Sequence, residues 1–79
     1  MTAVELYIQV FRNTFQLGED CNFDSLRYNS ISTWDSIGHL MLISEIEQTF
    51  NIVFEMDDII DFSSFEVGKQ LLKKYNVEL

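Results

Sequence analysis

Apolar residues in this chain recur at steps of three and four, and no stretch alternates convincingly with a period of two. Steps of three and four place side chains on one face of an α-helix, whereas a half-buried strand needs strict alternation. The spacing therefore predicts an all-α fold. We expect a small four-helix bundle with three longer helices and a short third helix, formed as one domain over residues 1–79.

The first helix is predicted over roughly residues 3–17. The segment "TAVE" at residues 2–5 has the form of a capping box, and Gly18 can take the left-handed conformation that ends a helix. Residues 18–34 mix Gly, Asp, Asn and Ser with isolated apolar residues, which indicates a long loop held by apolar anchors. These anchors are Phe23, Leu26, Ile31 and Trp34.

The second helix is predicted from about Ser36 to Phe50, with Asp35 as its N-cap and Asn51 ending it as a glycine would. It carries two apolar stripes. One stripe suits a hydrophobic core and consists of Leu42, Ile43, Ile46 and Phe50. The other stripe is displaced from the first, begins beside the serine, and consists of Ile37, Leu40, Met41 and Ser44. We interpret this second stripe as an apolar surface for another molecule.

Two further helices complete the predicted bundle. The segment "EMDDIIDF" looks like a short helix with Ile59, Ile60 and Phe62 turned inward. The segment "SSFE" at residues 63–66 is a second capping box, which opens the last helix. Lys73 and Lys74 are favourably placed at the negative end of its dipole.

The single cysteine, Cys21, cannot form an intrachain disulfide, and its carboxylate neighbour Asp20 discourages the reactive thiolate. We expect a passive thiol.

The longest apolar run, Leu40 to Ile43, is far too short for a membrane span, and Glu5 stands where a signal peptide would be positively charged. These features predict a cytoplasmic protein without a membrane span.

Thirteen acidic residues against five basic ones give a net charge of -8, which repels phosphate backbones and argues against nucleic acid as a partner. No Lys or Arg occurs from Tyr28 to Gly68, where eight of the acidic residues lie. Such a surface either keeps a small protein in solution or attracts proteins with basic docking patches. Charge alone does not decide between these two interpretations.

Ser36 is placed where a phosphate group would be stabilised. The first turn of a helix has free N–H groups and the positive end of the dipole, so a phosphodiester on this serine would meet a favourable field. Asp35 would place a carboxylate beside that phosphate, which is unfavourable unless the aspartate serves the enzyme that installs the group.

The segment "WDSIGHLMLISEIEQTF" resembles the signature of acyl carrier proteins, in which an Asp-Ser-Leu triplet opens the second helix. The resemblance covers most of the chain, including the long first loop, the short third helix and a closing helix introduced by "SSFEVGKQLL". It implies that a magnesium-dependent phosphopantetheinyl transferase attaches 4′-phosphopantetheine from coenzyme A to Ser36. Asp35 matches the family aspartate that precedes the modified serine.

The resemblance also implies the partners. The arm's thiol would carry acyl groups as thioesters for acyl-activating, acyltransferase or synthase enzymes with basic docking patches, and the carrier would be a monomer without enzymatic activity of its own. In the family the second helix is the main recognition element. This assigns docking here to Ile37, Leu40, Met41, Glu45 and Glu47.

Several positions depart from the commonest family pattern, and they favour a dedicated carrier of a secondary or cell-envelope pathway. Ile37 replaces the usual leucine, Asn51 stands where glycine is frequent, and Met41 stands where carriers of fatty-acid synthesis often have an acidic residue. Trp34 and Gly38 are also more typical of specialised carriers. An aminoacyl or peptidyl cargo is the alternative to a fatty or polyketide acyl cargo.

The same residues allow three interpretations other than a carrier. Asp35, Ser36 and His39 suggest a hydrolase, but adjacent helical residues point about 100° apart and no G-x-S-x-G elbow is present. His39 is expected on the helix surface or half-buried. No metal site is expected, because "DDIID" lacks the spacing of a calcium loop. The interpretation as a helical adaptor, which binds partners with Ser36 unmodified, stays open.

The chain also suggests a place for a long acyl chain. Apolar residues near the second and third helices could line a space for it, because separating two helices of so small a bundle is energetically accessible. These residues are Met41, Ile46, Phe54, Ile59 and Phe62.

Overall fold

The computed structural model describes residues 2–79, and its first helix, α1 (Ala3–Phe15), begins at the predicted capping box. The N–H of Glu5 donates to Thr2 Oγ1 and the N–H of Thr2 donates to the Glu5 carboxylate, each at 3.2 Å. The predicted end of the helix at Gly18 was wrong. Gln16 takes the left-handed conformation instead, with φ of 55°, and its N–H donates to the Arg12 carbonyl.

The long loop after α1 is ordered by the predicted anchors. Leu26 and Trp34 are buried, Phe23 and Ile31 are half-buried, and a single 3₁₀ turn covers Phe23–Ser25. Backbone hydrogen bonds also tie the loop to Ser63 and to the first residue of the last helix. Tyr28 N–H donates to the Ser63 carbonyl at 2.9 Å, and a second bond runs from Phe65 N–H to the Leu26 carbonyl at 3.0 Å.

Helix α2 (Ser36–Phe50) begins and ends where the sequence predicts. The Asp35 side chain accepts a hydrogen bond from the N–H of Gly38, and Asn51 ends the helix in the left-handed conformation with φ of 55°. One stripe of the helix packs into the core. Leu42, Ile43 and Ile46 are buried there.

The short helix α3 (Met56–Asp61) confirms only part of the predicted inward set. Phe62, just after the helix, is buried and Ile59 is half-buried, but Ile60 is 71% exposed. Ile60 follows Ile59 directly, and adjacent helical side chains point about 100° apart, so the two cannot both face the core. Asp58 is the one buried residue of this helix.

Helix α4 (Phe65–Lys73) starts one residue later than the predicted capping box at residues 63–66. Ser64 is the N-cap, and its Oγ accepts from the N–H of Val67 at 3.0 Å. Glu66 lies too close to the cap for the reciprocal bond and pairs with Lys69 instead. The Ser63 carbonyl is used by Tyr28, which leaves Ser64 to open the helix.

Aromatic rings dominate the hydrophobic core, and Phe11 lies at its centre. Its ring contacts those of Tyr7, Trp34 and Phe65 at centroid distances of 5.0, 5.5 and 5.0 Å. The Tyr7 hydroxyl donates to the Phe65 carbonyl at 2.7 Å, and burial raises the pKa of this phenol. Within residues 2–79 the elements are four α-helices and one 3₁₀ turn, without a β-strand, which confirms the predicted all-α class.

A buried carboxylate fixes α3 to the C-terminal end of the chain. Asp58 is 4% exposed and accepts hydrogen bonds from Lys74 Nζ at 2.6 Å and the Tyr75 hydroxyl at 2.5 Å. The Tyr75 oxygen in turn accepts from the N–H of Glu55 at 2.9 Å. Two hydrogen bonds hold the pKa of the Asp58 carboxyl below its usual range. The bond from Lys74 has the larger effect, and the bond from Tyr75 has the next largest.

This lowered pKa predicts a pH-dependent stability. A group whose pKa is lower in the folded protein stabilises the fold above its unfolded-state pKa of about 4, and the contribution is lost as the pH falls through the folded value. We expect Asp58→Asn to lower the melting temperature by several degrees at pH 7, with the difference from wild type shrinking below pH 4.

Asp61→Asn is the matched control, because Asp61 lies on the same helix and is exposed. It should change the melting temperature little at either pH. Thermal unfolding followed by circular dichroism from pH 7 to pH 3 measures both variants. An Asp58→Asn difference that stays constant over this range would contradict the assignment.

Candidate functional site

The hydroxyl of Ser36 is exposed in the first turn of α2. Its Oγ lies 3.2 Å from the Tyr28 hydroxyl, on the long loop. Asp35 Oδ1 accepts the Gly38 N–H at 2.8 Å and so satisfies one of the free backbone donors of the turn. The positive end of the helix dipole is thus presented beside an accessible nucleophilic oxygen.

Gly38 allows the long loop to lie directly against this first turn. A Cβ at residue 38 would stand 2.0 Å from the Thr33 carbonyl oxygen and 3.2 Å from the Phe15 ring. Only a residue without a side chain permits this approach. The sequence contains a signal for it, since a glycine inside a helix is unfavourable by about 1 kcal/mol and often marks a close backbone contact.

His39 is half-buried, as predicted, and both of its ring nitrogens have partners. Nδ1 lies 3.1 Å from Trp34 Nε1, and Nε2 lies 2.8 Å from the Ile59 carbonyl oxygen. An indole N–H only donates and a carbonyl only accepts, so these contacts assign the proton of the neutral ring to Nε2. His39 therefore links the long loop, α2 and α3.

The three side chains that suggested a hydrolase are engaged separately. Asp35 caps the helix, Ser36 contacts Tyr28, and His39 contacts Trp34 and Ile59. A Ser-His-Asp relay needs the histidine to accept the serine proton while the acid holds its other nitrogen. The observed partners of His39 occupy both positions.

A groove of about 380 Å³ begins at Ser36 and runs between α2 and α3, and we call it the α2–α3 groove. Its walls come from the long loop, α2, α3 and the segment after α3. Its lining residues are Tyr28, Ser36, His39, Leu40, Ile59, Ile60, Phe62 and Ser63. Sequence reasoning did not place Tyr28, Ile60 or Ser63 near the serine, because the contact depends on how the loop folds back.

The second stripe of α2 faces outward, as its displacement from the core stripe predicts. Ile37, Leu40 and Met41 are 72%, 63% and 54% exposed, so they bury little of their apolar surface in the bundle. With Ser44 and Glu45 they line a shallow depression of about 310 Å³. We call these five residues the α2 face.

Glu47 does not join the α2 face. Its side chain is half-buried, and its Oε2 accepts the N–H of Phe54 at 2.8 Å, which holds the segment between α2 and α3. Four of the five residues assigned to docking therefore lie together beside Ser36. The fifth has a structural contact of its own.

Neither the models of protein families, nor the curated proteins, nor the solved structures gave a match to this chain. Within residues 2–79, no helix has the length and apolar character needed to cross a membrane. The side chains of this part of the chain form no group of three or more metal-binding residues of the His, Cys, Asp and Glu types.

The close approach at Gly38 yields a stability prediction. Gly38→Ala should lower the free energy of unfolding by about 1–3 kcal/mol, because the new methyl group forces the Thr33 backbone away from the helix. The gain in helix propensity is smaller than this cost. Urea unfolding measures the change.

Gly18→Ala is the control for that experiment. Gly18 is exposed, its φ is not positive, and an added Cβ would meet only the flexible Asp20 side chain at 3.1 Å. We expect a change within about 0.5 kcal/mol. Equal effects of the two substitutions would show that the contact with Thr33 does not restrain the loop.

Proposed function

We propose that the protein is a carrier that holds acyl intermediates as thioesters on a 4′-phosphopantetheine arm attached to Ser36 and delivers them to partner enzymes. The observation that carries this proposal is the exposed Ser36 hydroxyl at the positive end of α2, at the start of the α2–α3 groove and beside the α2 face. An attachment point, a place for the arm and a surface for visiting enzymes are thus adjacent.

The attachment is a phosphoryl transfer. Ser36 Oγ forms a bond to the pantetheine-bearing phosphorus of coenzyme A, the bridging P–O bond of the diphosphate breaks, and 3′,5′-bisphosphorylated adenosine leaves. The serine proton passes to a base on the transferase. The free N–H groups of the first turn stabilise the resulting phosphodiester, and the Tyr28 hydroxyl is near enough to donate to it.

The repulsion between the Asp35 carboxylate and the proposed phosphodiester is partly offset. Its Oδ1 accepts the Gly38 N–H, and its second oxygen stays available to the transferase or its magnesium ion. When the arm is attached, its thiol supplies the thioester chemistry, and the chain itself supplies attachment and recognition. In this proposal the protein is a substrate of enzymes and has no catalytic residue.

Partner enzymes are proposed to dock on the α2 face. Exposed apolar side chains at its centre offer surface to be buried, and Glu45 with the net charge of -8 attracts a basic patch. The phosphopantetheinyl transferase and the acyl-activating, acyltransferase or synthase enzymes would share this surface. Glu47 is omitted from the proposed set because its carboxylate is used by Phe54.

The first test is the mass of the loaded protein. After incubation with coenzyme A and a broad-specificity transferase, wild type should gain the mass of one phosphopantetheine group and Ser36→Ala should gain none. Thr49→Ala is the control, since Thr49 is an exposed hydroxyl residue on the same helix but outside the α2 face, and it should gain the full mass. If folded wild type stays unmodified, the chain is an adaptor instead.

The second test concerns the α2 face. Met41→Gln should lower kcat/KM of the transferase about five- to tenfold, mainly through KM, because an apolar contact at the interface is lost. Met56→Gln is the matched control: Met56 is also exposed but lies on α3, outside the proposed face. Equal effects of the two substitutions would contradict docking on the α2 face.

A further inference from the structure

The interior beneath the α2–α3 groove is filled with large side chains. Trp34 is completely buried. The centroid of its ring lies 5.2 Å from that of Phe15 and 5.5 Å from that of Phe11. Phe62 is 1% exposed and contacts Phe54 edge-on at 6.1 Å. Of the buried apolar core residues in the described part of the chain, Phe62 is the one that also lines the groove, so the groove is superficial.

His39 closes the gap between α2 and α3. Its ring lies nearly coplanar with that of Trp34, at an interplanar angle of 14°, and meets Phe62 edge-on, and its Nε2 donates to the Ile59 carbonyl. Separating α3 from α2 would break the hydrogen bond between His39 and Ile59 and leave this carbonyl without its partner, which is unfavourable. The ring therefore covers the path from Ser36 to the core.

Helix α3 is also held from its other side. Asp58 binds Lys74 and Tyr75, and Tyr75 accepts the N–H of Glu55, so the helix is fixed to the C-terminal segment. Movement of α3 away from α2 would have to break one of these two sets of contacts. The two restraints together oppose the opening that an inserted alkyl chain needs.

We infer that His39 is a specificity-determining residue that keeps alkyl chains out of the bundle, so that the cargo class of this carrier is short acyl groups. The inference rests on the proposed function. The arm would lie along the α2–α3 groove, whose outer walls Leu40 and Ile60 are 63% and 71% exposed. A long chain attached beyond the arm would stay largely in water, which is unfavourable.

This arrangement departs from the sequence-based hypothesis of a long acyl chain inside the bundle. Met41 points to the opposite, outward stripe, and Ile46, Phe54 and Phe62 are already packed against core side chains. Ile59 contributes the carbonyl that His39 holds. Of the five residues named for that space, Ile59 and Phe62 line the α2–α3 groove and Met41 lines the depression on the α2 face.

The test compares cargoes of increasing length on the full chain. Acetyl-, butyryl-, octanoyl- and dodecanoyl-coenzyme A are used with a broad-specificity transferase, and intact mass verifies each loaded form. The melting temperature, the emission of Trp34, which is the single tryptophan, and the rate of thioester cleavage by hydroxylamine are then measured. We expect all three to be independent of chain length in wild type.

His39→Ala should change this result. With the ring and its hydrogen bonds removed, the dodecanoyl form should melt higher than the acetyl form and its thioester should be cleaved more slowly, because a buried chain stabilises the folded state. Thr49→Ala is the control, since Thr49 is exposed on the same helix and does not line the groove, and it should behave as wild type.

Each outcome decides the inference. A melting temperature that rises with chain length in wild type overturns it without touching the carrier function, and this measurement needs no variant to fold. A folded His39→Ala protein that is still insensitive to chain length removes the role of His39. Absence of any added mass with every thioester refutes the carrier function itself, and the cargo inference with it.

Discussion

The burial of Trp34 is the contact on which the arrangement of the site depends. This side chain ends the long loop, directly before the residue that caps α2, and it packs against Phe11 and Phe15 of α1. Its N–H donates to His39 in the second turn of the helix. The position of the loop, the start of α2 and the orientation of the histidine are therefore set by one indole ring.

Helix α2 divides its apolar residues between two tasks. Leu42 and Ile46 are fully buried and contribute to the hydrophobic stabilisation of the bundle, while Ile37, Leu40 and Met41 gain little from folding. Exposed apolar side chains at consecutive positions of one face lower solubility unless a partner covers them. Their place beside Ser36 links that exposure to the proposed encounter with other proteins.

Local sequence signals predicted the beginnings of α1 and α2 because capping depends on residues within one turn. The Thr2–Glu5 box and the Asp35 cap both formed as expected. The wrong predictions concern positions whose structure depends on contacts between residues far apart in the chain. The Ser63 carbonyl is held by Tyr28, which moved the start of α4, and the inward position expected for Ile60 went to Asp58 because Lys74 and Tyr75 satisfy its charge.

The candidate site was predictable to a similar degree. Ser36, Asp35 and the outward stripe follow from helix geometry, whereas the partners of His39 lie five residues before it and twenty residues after it. Glu47 is a second example. An acidic residue on a helix is predicted to be a surface charge, and its hydrogen bond from the Phe54 N–H is visible only in the structure. Side-chain pairing across the bundle is not encoded in the spacing along one helix.

The contact between Tyr28 and Ser36 has a consequence for the loaded state. In the free protein either hydroxyl can donate across the 3.2 Å separation, so two hydrogen-bonding arrangements share the same heavy-atom positions. In the proposed carrier, esterification would remove the serine proton and leave the phenol as the sole donor. Because the Tyr28 N–H is bound to the Ser63 carbonyl, this change of donor would occur next to the junction between the long loop and α4.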